Sequence, residues 1–273
     1  MRTQVVLYTT YLYWRRNREV GKWRYMPLQV NDAYTNMAID EAILLGISKG
    51  ISPNTLRLYR WYPSAISLGY FQNLESEVNL EACRKMGVDV VRRMTGGGTV
   101  YHDYEGEITY SIAFREGELN IPMDIVESYK YIERGIVIFL KKMGIEAHMS
   151  GINDIVVMGK KISGNAQTRR YGVVLQHGTI LLDVNVDKMF TLLKVSSEKL
   201  KDKMIKSVKE RVTSLKHIMG KKPPFGYVER LLKEGFEEAL GVKFYDGKLN
   251  DFETSILPKL VEKYKSKEWT FRR

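Results

Sequence analysis

Four short stretches of the chain set charged and polar side chains among glycines in otherwise apolar surroundings. The most informative is Arg92-Arg93-Met94-Thr95-Gly96-Gly97-Gly98-Thr99-Val100-Tyr101-His102-Asp103. Three consecutive glycines between two β-like runs are costly, because glycine loses the most backbone freedom on folding. A chain accepts that cost where φ must be positive or where something approaches the backbone closely. Two arginines lead in, and Thr95, Thr99 and His102 add polar groups. The stretch reads as a cradle for an elongated anionic ligand. Taken alone, it reads equally as a glycine-rich hairpin with two solvated arginines. It is not a Walker loop, since no G-x-x-x-x-G-K-[ST] is present.

The other three are Gly151-Ile152-Asn153-Asp154-Ile155-Val156-Val157, Lys160-Lys161-Ile162-Ser163-Gly164-Asn165-Ala166 and Leu175-Gln176-His177-Gly178-Thr179-Ile180-Leu181. Strand alternation would place Lys161 and Ser163 on one face and Ile162 on the other. A lysine held on a strand beside a glycine is a fixed cation for a phosphate or carboxylate. An isolated strand lysine more commonly protects a sheet edge.

These groups need a scaffold. Residues 23–30, 55–61, 65–70, 88–91, 107–114, 146–149, 154–157, 161–168, 173–183 and 243–245 read as strands. Residues 55–61 and 65–70 are expected to pair as a hairpin across Tyr62-Pro63-Ser64. A second hairpin turns at Gly159-Lys160. Helices are expected near 33–48, 79–86, 124–143, 186–193, 197–203, 227–240 and 252–264, with Ile125, Tyr129, Ile132, Ile136 and Leu140 forming one apolar stripe. The mixture predicts an α+β fold: a mixed, largely antiparallel sheet packed with helices. Residues 1–22 read as a basic and aromatic extension, and 23–273 as one domain.

The chain has 273 residues and a formal net charge of +11. Basic residues cluster between Arg15 and Arg24 and again from Lys188 to Lys222. Such charge attracts nucleic acid, small anions or acidic proteins. No basic-aromatic array of the RNA-binding type is present, so nucleic acid is not an expected partner. No apolar run reaches transmembrane length, and no signal-peptide core is visible, which predicts a cytoplasmic protein without a membrane partner. The single cysteine, Cys83, excludes an internal disulfide and reads as a half-buried helix residue.

Together the four stretches resemble the lipoate–protein ligase A family, grouped with biotin ligases and octanoyltransferases. R-R-M-T-G-G-G-T-V-Y-H-D, G-I-N-D-I-V-V, K-I-S-G-N-A and Q-H-G-T-I-L-L match its pattern in order and spacing. Asn36 to Glu41, Ser67 to Gln72, and the S-x-x-x-R-V-x-x-L segment beginning at Ser207 extend the match. The resemblance implies a biotin/lipoate ligase-like catalytic domain that activates lipoate with ATP and passes the lipoyl group to a lysine of an acceptor. Acceptors would be lipoyl domains of 2-oxoacid dehydrogenase E2 components or the glycine-cleavage H protein.

On that resemblance Lys161 is the catalytic residue. Arg92, Arg93, Thr95, Gly96, Gly97, Gly98, Tyr101, His102, Asn153, Asp154, Ser163, Gly164, Ala166, His177, Gly178 and Thr179 hold lipoyl-adenylate. Tyr70, Val156 and Leu181 wall a tunnel for the lipoyl tail. Asp154 carries Mg²⁺, which arrives with ATP; no tightly bound cofactor is expected. The C-terminal accessory domain of larger ligases has no counterpart here, which implies a separate small accessory subunit. The chief alternative is octanoyl transfer from acyl carrier protein. That route runs through a cysteine nucleophile, and the position of Cys83 before the glycine stretch ranks ligation first. A non-catalytic paralogue that binds lipoate or nucleic acid is the second alternative.

Overall fold

The computed structural model describes residues 22–195 and 198–272. The expected extension therefore lies outside the described residues, except for Lys22, as does the start of the helix expected at 197. The chain runs β1 (Lys22–Asn31), α1 (Ala33–Ser48), β2 (Thr55–Trp61), β3 (Ala65–Leu68), α2 (Leu74–Glu77), α3 (Leu80–Lys85), β4 (Asp89–Arg92), β5 (Val100–His102) and β6 (Glu107–Arg115). After α4 (Ile125–Lys142) come β7 (His148–Ser150), β8 (Asp154–Val157), β9 (Lys160–Arg170) and β10 (Val173–Leu181). The remainder is α5 (Val186–Leu192), α6 (Glu198–Arg211), α7 (Leu215–Met219), α8 (Phe225–Leu240), β11 (Lys243–Asp246), α9 (Asp251–Lys265) and α10 (Lys267–Thr270).

Eight strands form one sheet in the order β11-β1-β2-β6-β10-β9-β8-β7, and β4-β3-β5 form a second. Only the β11/β1, β1/β2 and β3/β4 pairs are parallel, so the mixed, largely antiparallel α+β expectation holds among the described residues. The expected hairpin of β2 with β3 does not form. β2 pairs on one edge with β1 and on the other with β6. With both ladders taken, the chain leaves the large sheet after Trp61 and starts the small one. The turn chemistry of Tyr62-Pro63-Ser64 is real, but it joins two sheets.

The major core lies between the large sheet and helices α4 and α8, where Leu56, Ile112 and Phe114 meet Ile132, Phe139 and Phe236. The amphipathic stripe of α4 is buried as its spacing predicts, apart from Ile125, which is exposed in the first turn. Burying each such side chain contributes roughly 1.5–3 kcal/mol. On the opposite face α1 packs Ile39, Ile43 and Leu44 against Met26, Ala113 and Leu175. Asp32 caps α1 by accepting the Thr35 N–H at 2.6 Å. Asn250 and Glu253 form a capping box on α9, and Glu253 also binds Arg24 at 2.5 and 2.7 Å. Arg24 is thus a buried structural partner and no part of a free basic surface.

Candidate functional site

The glycine-rich stretch connects β4 to β5 and stands over the ends of β9 and β10. Beneath it lies a cavity of about 370 Å³, lined by Arg93, Gly97, Gly98, Tyr101, His102, Asn153, Lys161, Gly164, Ala166, His177, Gly178, Thr179 and Leu181 among the expected residues. All four polar stretches thus meet at one cavity, with lining residues that run from Arg93 to Leu181. Of the three consecutive glycines only Gly97 has a positive φ, at 89°. A Cβ added at Gly96 or Gly98 would meet nothing within 4 Å. Positive φ therefore accounts for Gly97, and open space beside the backbone for its two neighbours. The loop is held against β3, because a Cβ at Gly69 would lie 1.9 Å from the Gly97 carbonyl oxygen.

Lys161 Nζ sits 2.6 Å from Asp154 Oδ1, with both side chains partly exposed. Its strand is fixed from the other side: Thr213 N–H donates to the Lys161 carbonyl at 2.8 Å, and Val212 bridges to the same residue. The segment beginning at Ser207 thereby buttresses the lysine. Asp154 itself does not line the cavity. Among the described residues no group of three or more His, Cys, Asp or Glu side chains could hold a metal ion.

Several of the expected residues stand outside this cavity. Ser163 is fully buried and lines no part of the cavity. A register shift between Ile155 and Val156 pairs Ile155 with Ser163 but Val156 with Lys161. This bulge breaks the alternation, so Lys161 shares the cavity with Gly164 and not with Ser163. Arg92 is fully buried and spends its guanidinium on the carbonyls of Gly69, Tyr70, Gln72 and Thr270, clamping α10 to the β3 turn. Thr95 and Gly96 lie behind the lining. Tyr70 is outside it, with the guanidiniums of Arg170 and Arg272 4.7 and 4.3 Å from its ring. Val156 lies on β8, between β9 and the edge strand β7, and is absent from the lining. The apolar wall comes instead from Met37, Met189, Val208 and Val212, together with Leu181.

Two buried chains of hydroxyl, imidazole and carboxylate converge on Arg93. In the first, Arg93 Nε donates to Thr95 Oγ1 at 3.1 Å, and Thr95 Oγ1 is 2.7 Å from His177 Nε2. His177 Nδ1 is 3.5 Å from Asp40 Oδ2, and Arg57 Nη1 donates to Asp40 Oδ1 at 2.9 Å. Burial pushes the His177 pKa down, which keeps the ring neutral. Burial alone would raise the Asp40 carboxyl, but the His177 hydrogen bond and the Arg57 charge outweigh it and hold it low. Breaking such a buried pair by removing one partner costs about 3–5 kcal/mol.

In the second chain, Trp61 Nε1 donates to Thr109 Oγ1 at 2.8 Å, and Thr109 donates to Glu107 Oε1 at 2.6 Å. His102 Nδ1 lies 2.8 Å from that same oxygen, and His102 Nε2 lies 2.8 Å from Ser67 Oγ. Arg93 Nη1 donates to Ser67 Oγ at 3.1 Å. An indole N–H and a guanidinium can only donate, so both ends of the chain are fixed. Thr109 therefore donates to Glu107; with a neutral ring, His102 donates from Nδ1 to Glu107 and accepts from Ser67 at Nε2. The imidazole also stacks on Trp61 at 4.1 Å, which fixes its plane. Burial lowers the Arg93 pKa to about 10, still leaving it cationic at neutral pH.

Ser67, Glu107 and Thr109 line the cavity but were not singled out as site residues from sequence. Short polar residues inside buried strands leave no spacing signal; their only trace is a polar side chain where an apolar one would pack. Cys83 lies elsewhere, in the cluster of Ile66, Leu74 and Val88, and burial pushes its thiol up to about 11.

A model of the lipoyl protein ligase A/B catalytic domain matches residues 32–237. An octanoyltransferase LipM of Kyrpidia tusciae is 37% identical, over 92% of this chain and 99% of that protein. One from Clostridioides difficile is 36% identical, over 93% and 100%. Among solved structures, the bipartite lipoate protein ligase of Thermoplasma acidophilum superposes with a TM-score of 0.84 at 31% identity, covering 92% of this chain and 96% of that one. A lipoate-protein ligase A bound with ATP gives 0.79 at 28% identity, covering 92% and 98%. The chain is an enzyme of the lipoyl protein ligase A/B catalytic-domain family.

Proposed function

We propose that this enzyme transfers an octanoyl group from a carrier-protein thioester to a lysine of a lipoyl acceptor domain, of an E2 component or H protein, in the cytoplasm. The observation that carries this reading is that relatives matching the chain over nearly their whole length are named octanoyltransferases. It reverses the ranking that the sequence alone gave. The cavity suits the task. Met37, Met189, Val208, Val212 and Leu181 supply an apolar wall for an acyl chain. Lys161 stands in the lining, where its charge would stabilise the oxyanion that forms on the acyl carbonyl.

A second reading, ATP-dependent lipoate ligation, is favoured by one specific observation. The only cysteine is buried away from the cavity with a raised pKa, so no thiol is placed to take the acyl group. In that reading Arg93 and Lys161 meet the adenylate phosphate, Asp154 meets Mg²⁺ held by the nucleotide, and a small accessory subunit assists activation.

One experiment separates the two. The full chain is incubated with an acceptor domain and either octanoyl-carrier protein without ATP, or lipoate with Mg-ATP, and the acceptor mass is read. Octanoylation without ATP, retained by Cys83→Ala, is the expected result. Modification only with Mg-ATP would replace octanoyl transfer by ligation.

A further inference from the structure

The proposed transfer lacks an evident nucleophile, and the second hydrogen-bonded chain supplies one. We infer that Ser67 is the residue that receives the acyl group, with His102 as its base and Glu107 as the group that orients the base; this rests on the octanoyl-transfer reading.

The geometry is that of an activated hydroxyl. Ser67 Oγ, His102 Nε2, His102 Nδ1 and Glu107 Oε1 follow one another at 2.8 and 2.8 Å across the ring. Ser67, His102 and Glu107 all line the cavity. The parallel chain through Thr95 does not qualify, since neither Thr95 nor Asp40 reaches the lining. In the neutral tautomer with Nδ1–H on Glu107, Nε2 accepts from the Ser67 hydroxyl, as a general base must. Arg93 adds a cation 3.1 Å from the hydroxyl oxygen, which favours the developing alkoxide. Recognition of nucleophile and base by mutual geometry and not by sequence position is what allows this assignment.

The steps balance. Ser67 Oγ attacks the thioester carbonyl while His102 Nε2 takes the hydroxyl proton. The C–S bond breaks, the thiol leaves with that proton, and an octanoyl ester remains on Ser67. The neutral amine of the acceptor lysine then attacks the ester carbonyl and gives a proton to His102. His102 returns it to Ser67 Oγ as the C–O bond breaks, leaving the amide and the free enzyme.

The test is intact-mass analysis of the full chain after mixing with octanoyl-carrier protein alone, without ATP or acceptor, followed by peptide mapping. An octanoyl increment on Ser67 that disappears when acceptor domain is added is expected. Ser67→Ala should remove the adduct and lower ATP-independent acceptor octanoylation about a thousandfold, with an unchanged melting temperature. Ser67→Cys should restore the adduct as a thioester. Wild-type octanoylation rates in a folded Ser67→Ala variant would overturn the Ser67 assignment while leaving octanoyl transfer standing. Failure of the wild-type chain to octanoylate an acceptor without ATP would overturn both.

Discussion

At the scale of single residues, the site separates side chains that reach the cavity from those that hold them. Lys161 reaches it, and its ion-pair partner, Asp154, is partly exposed, so the strand does not depend on the pair. Lys161→Ala is expected to lower acceptor modification about 10²–10³-fold, the range for loss of one oxyanion-stabilising group. Its melting temperature should match the wild type; a variant that melts early would mark Lys161 as structural. Glu133 gives a different signal. It is buried in α4, and its oxygens make no hydrogen bond of normal geometry. Burial, with Asp154 nearby, raises its pKa from 4.5 to about 8. The folded chain therefore keeps a proton that the unfolded chain has released. Stability falls as pH rises from about 4.5 to about 8 and levels off above that. The penalty near pH 7 is roughly 3 kcal/mol. Glu133→Gln should raise the melting temperature more at pH 8 than at pH 5. An equal gain at both pH values would show that Glu133 does not titrate in this window.

At the scale of elements, the glycine loop and the lysine strand were legible because each leaves a local signature. Three adjacent glycines and a lysine-serine-glycine run stand out in any apolar context, and strand and helix periods located most of the elements. What was not legible depends on partners distant in sequence. Nothing near Tyr62-Pro63-Ser64 records that both edges of β2 are occupied by β1 and β6, so a hairpin was the local inference. Nothing in Lys161-Ile162-Ser163 announces the bulge that parts Lys161 from Ser163. Arg92 and Arg93 look alike in sequence; only the fold sets one on four carbonyls behind the loop and the other at the lining, where it holds the carbonyls of Ser67, Gly96 and Gly98. The loop itself yields a paired prediction. Gly69→Ala puts a Cβ 1.9 Å from the Gly97 carbonyl oxygen, which belongs to backbone and cannot swing aside. It should cost about 1–3 kcal/mol of stability by forcing β3 and the loop apart. Gly98→Ala meets nothing within 4 Å and should keep the wild-type melting temperature. Its methyl group enters open space at the lining, so the KM for the acyl donor should rise. Equal melting temperatures for the two variants would refute the close approach of β3 and loop.

At the scale of the whole molecule, the +11 charge is the excess of 43 basic over 32 acidic residues. Ion pairs cancel one charge of each sign and leave that excess untouched, internally in Arg24 with Glu253 and at the surface in Lys209 with Asp187 and Lys216 with Asp183. These last two pairs sit in a groove of about 820 Å³ that shares Asp103, Asp183, Val184, Asn185 and Val212 with the cavity beneath the glycine loop. Lys160 and His217 also line the groove, so a macromolecule resting there would meet mixed charge close to the reacting groups. The positive excess acts at longer range. It would attract an acidic carrier or acceptor protein before contact, and salt would screen that attraction over roughly a 10 Å Debye length near 0.1 M. Raising ionic strength from about 0.05 to about 0.5 M should therefore increase the KM for a lipoyl acceptor domain several-fold while leaving kcat within about twofold. Steering changes encounter, whereas the buried Ser67–His102–Glu107 and Thr95–His177–Asp40 chains are screened far less by mobile ions. A KM independent of salt would mean that the excess charge does not guide docking. A fall in kcat with salt would place a screened charge, Lys161 with Asp154 first among them, at the rate-limiting step.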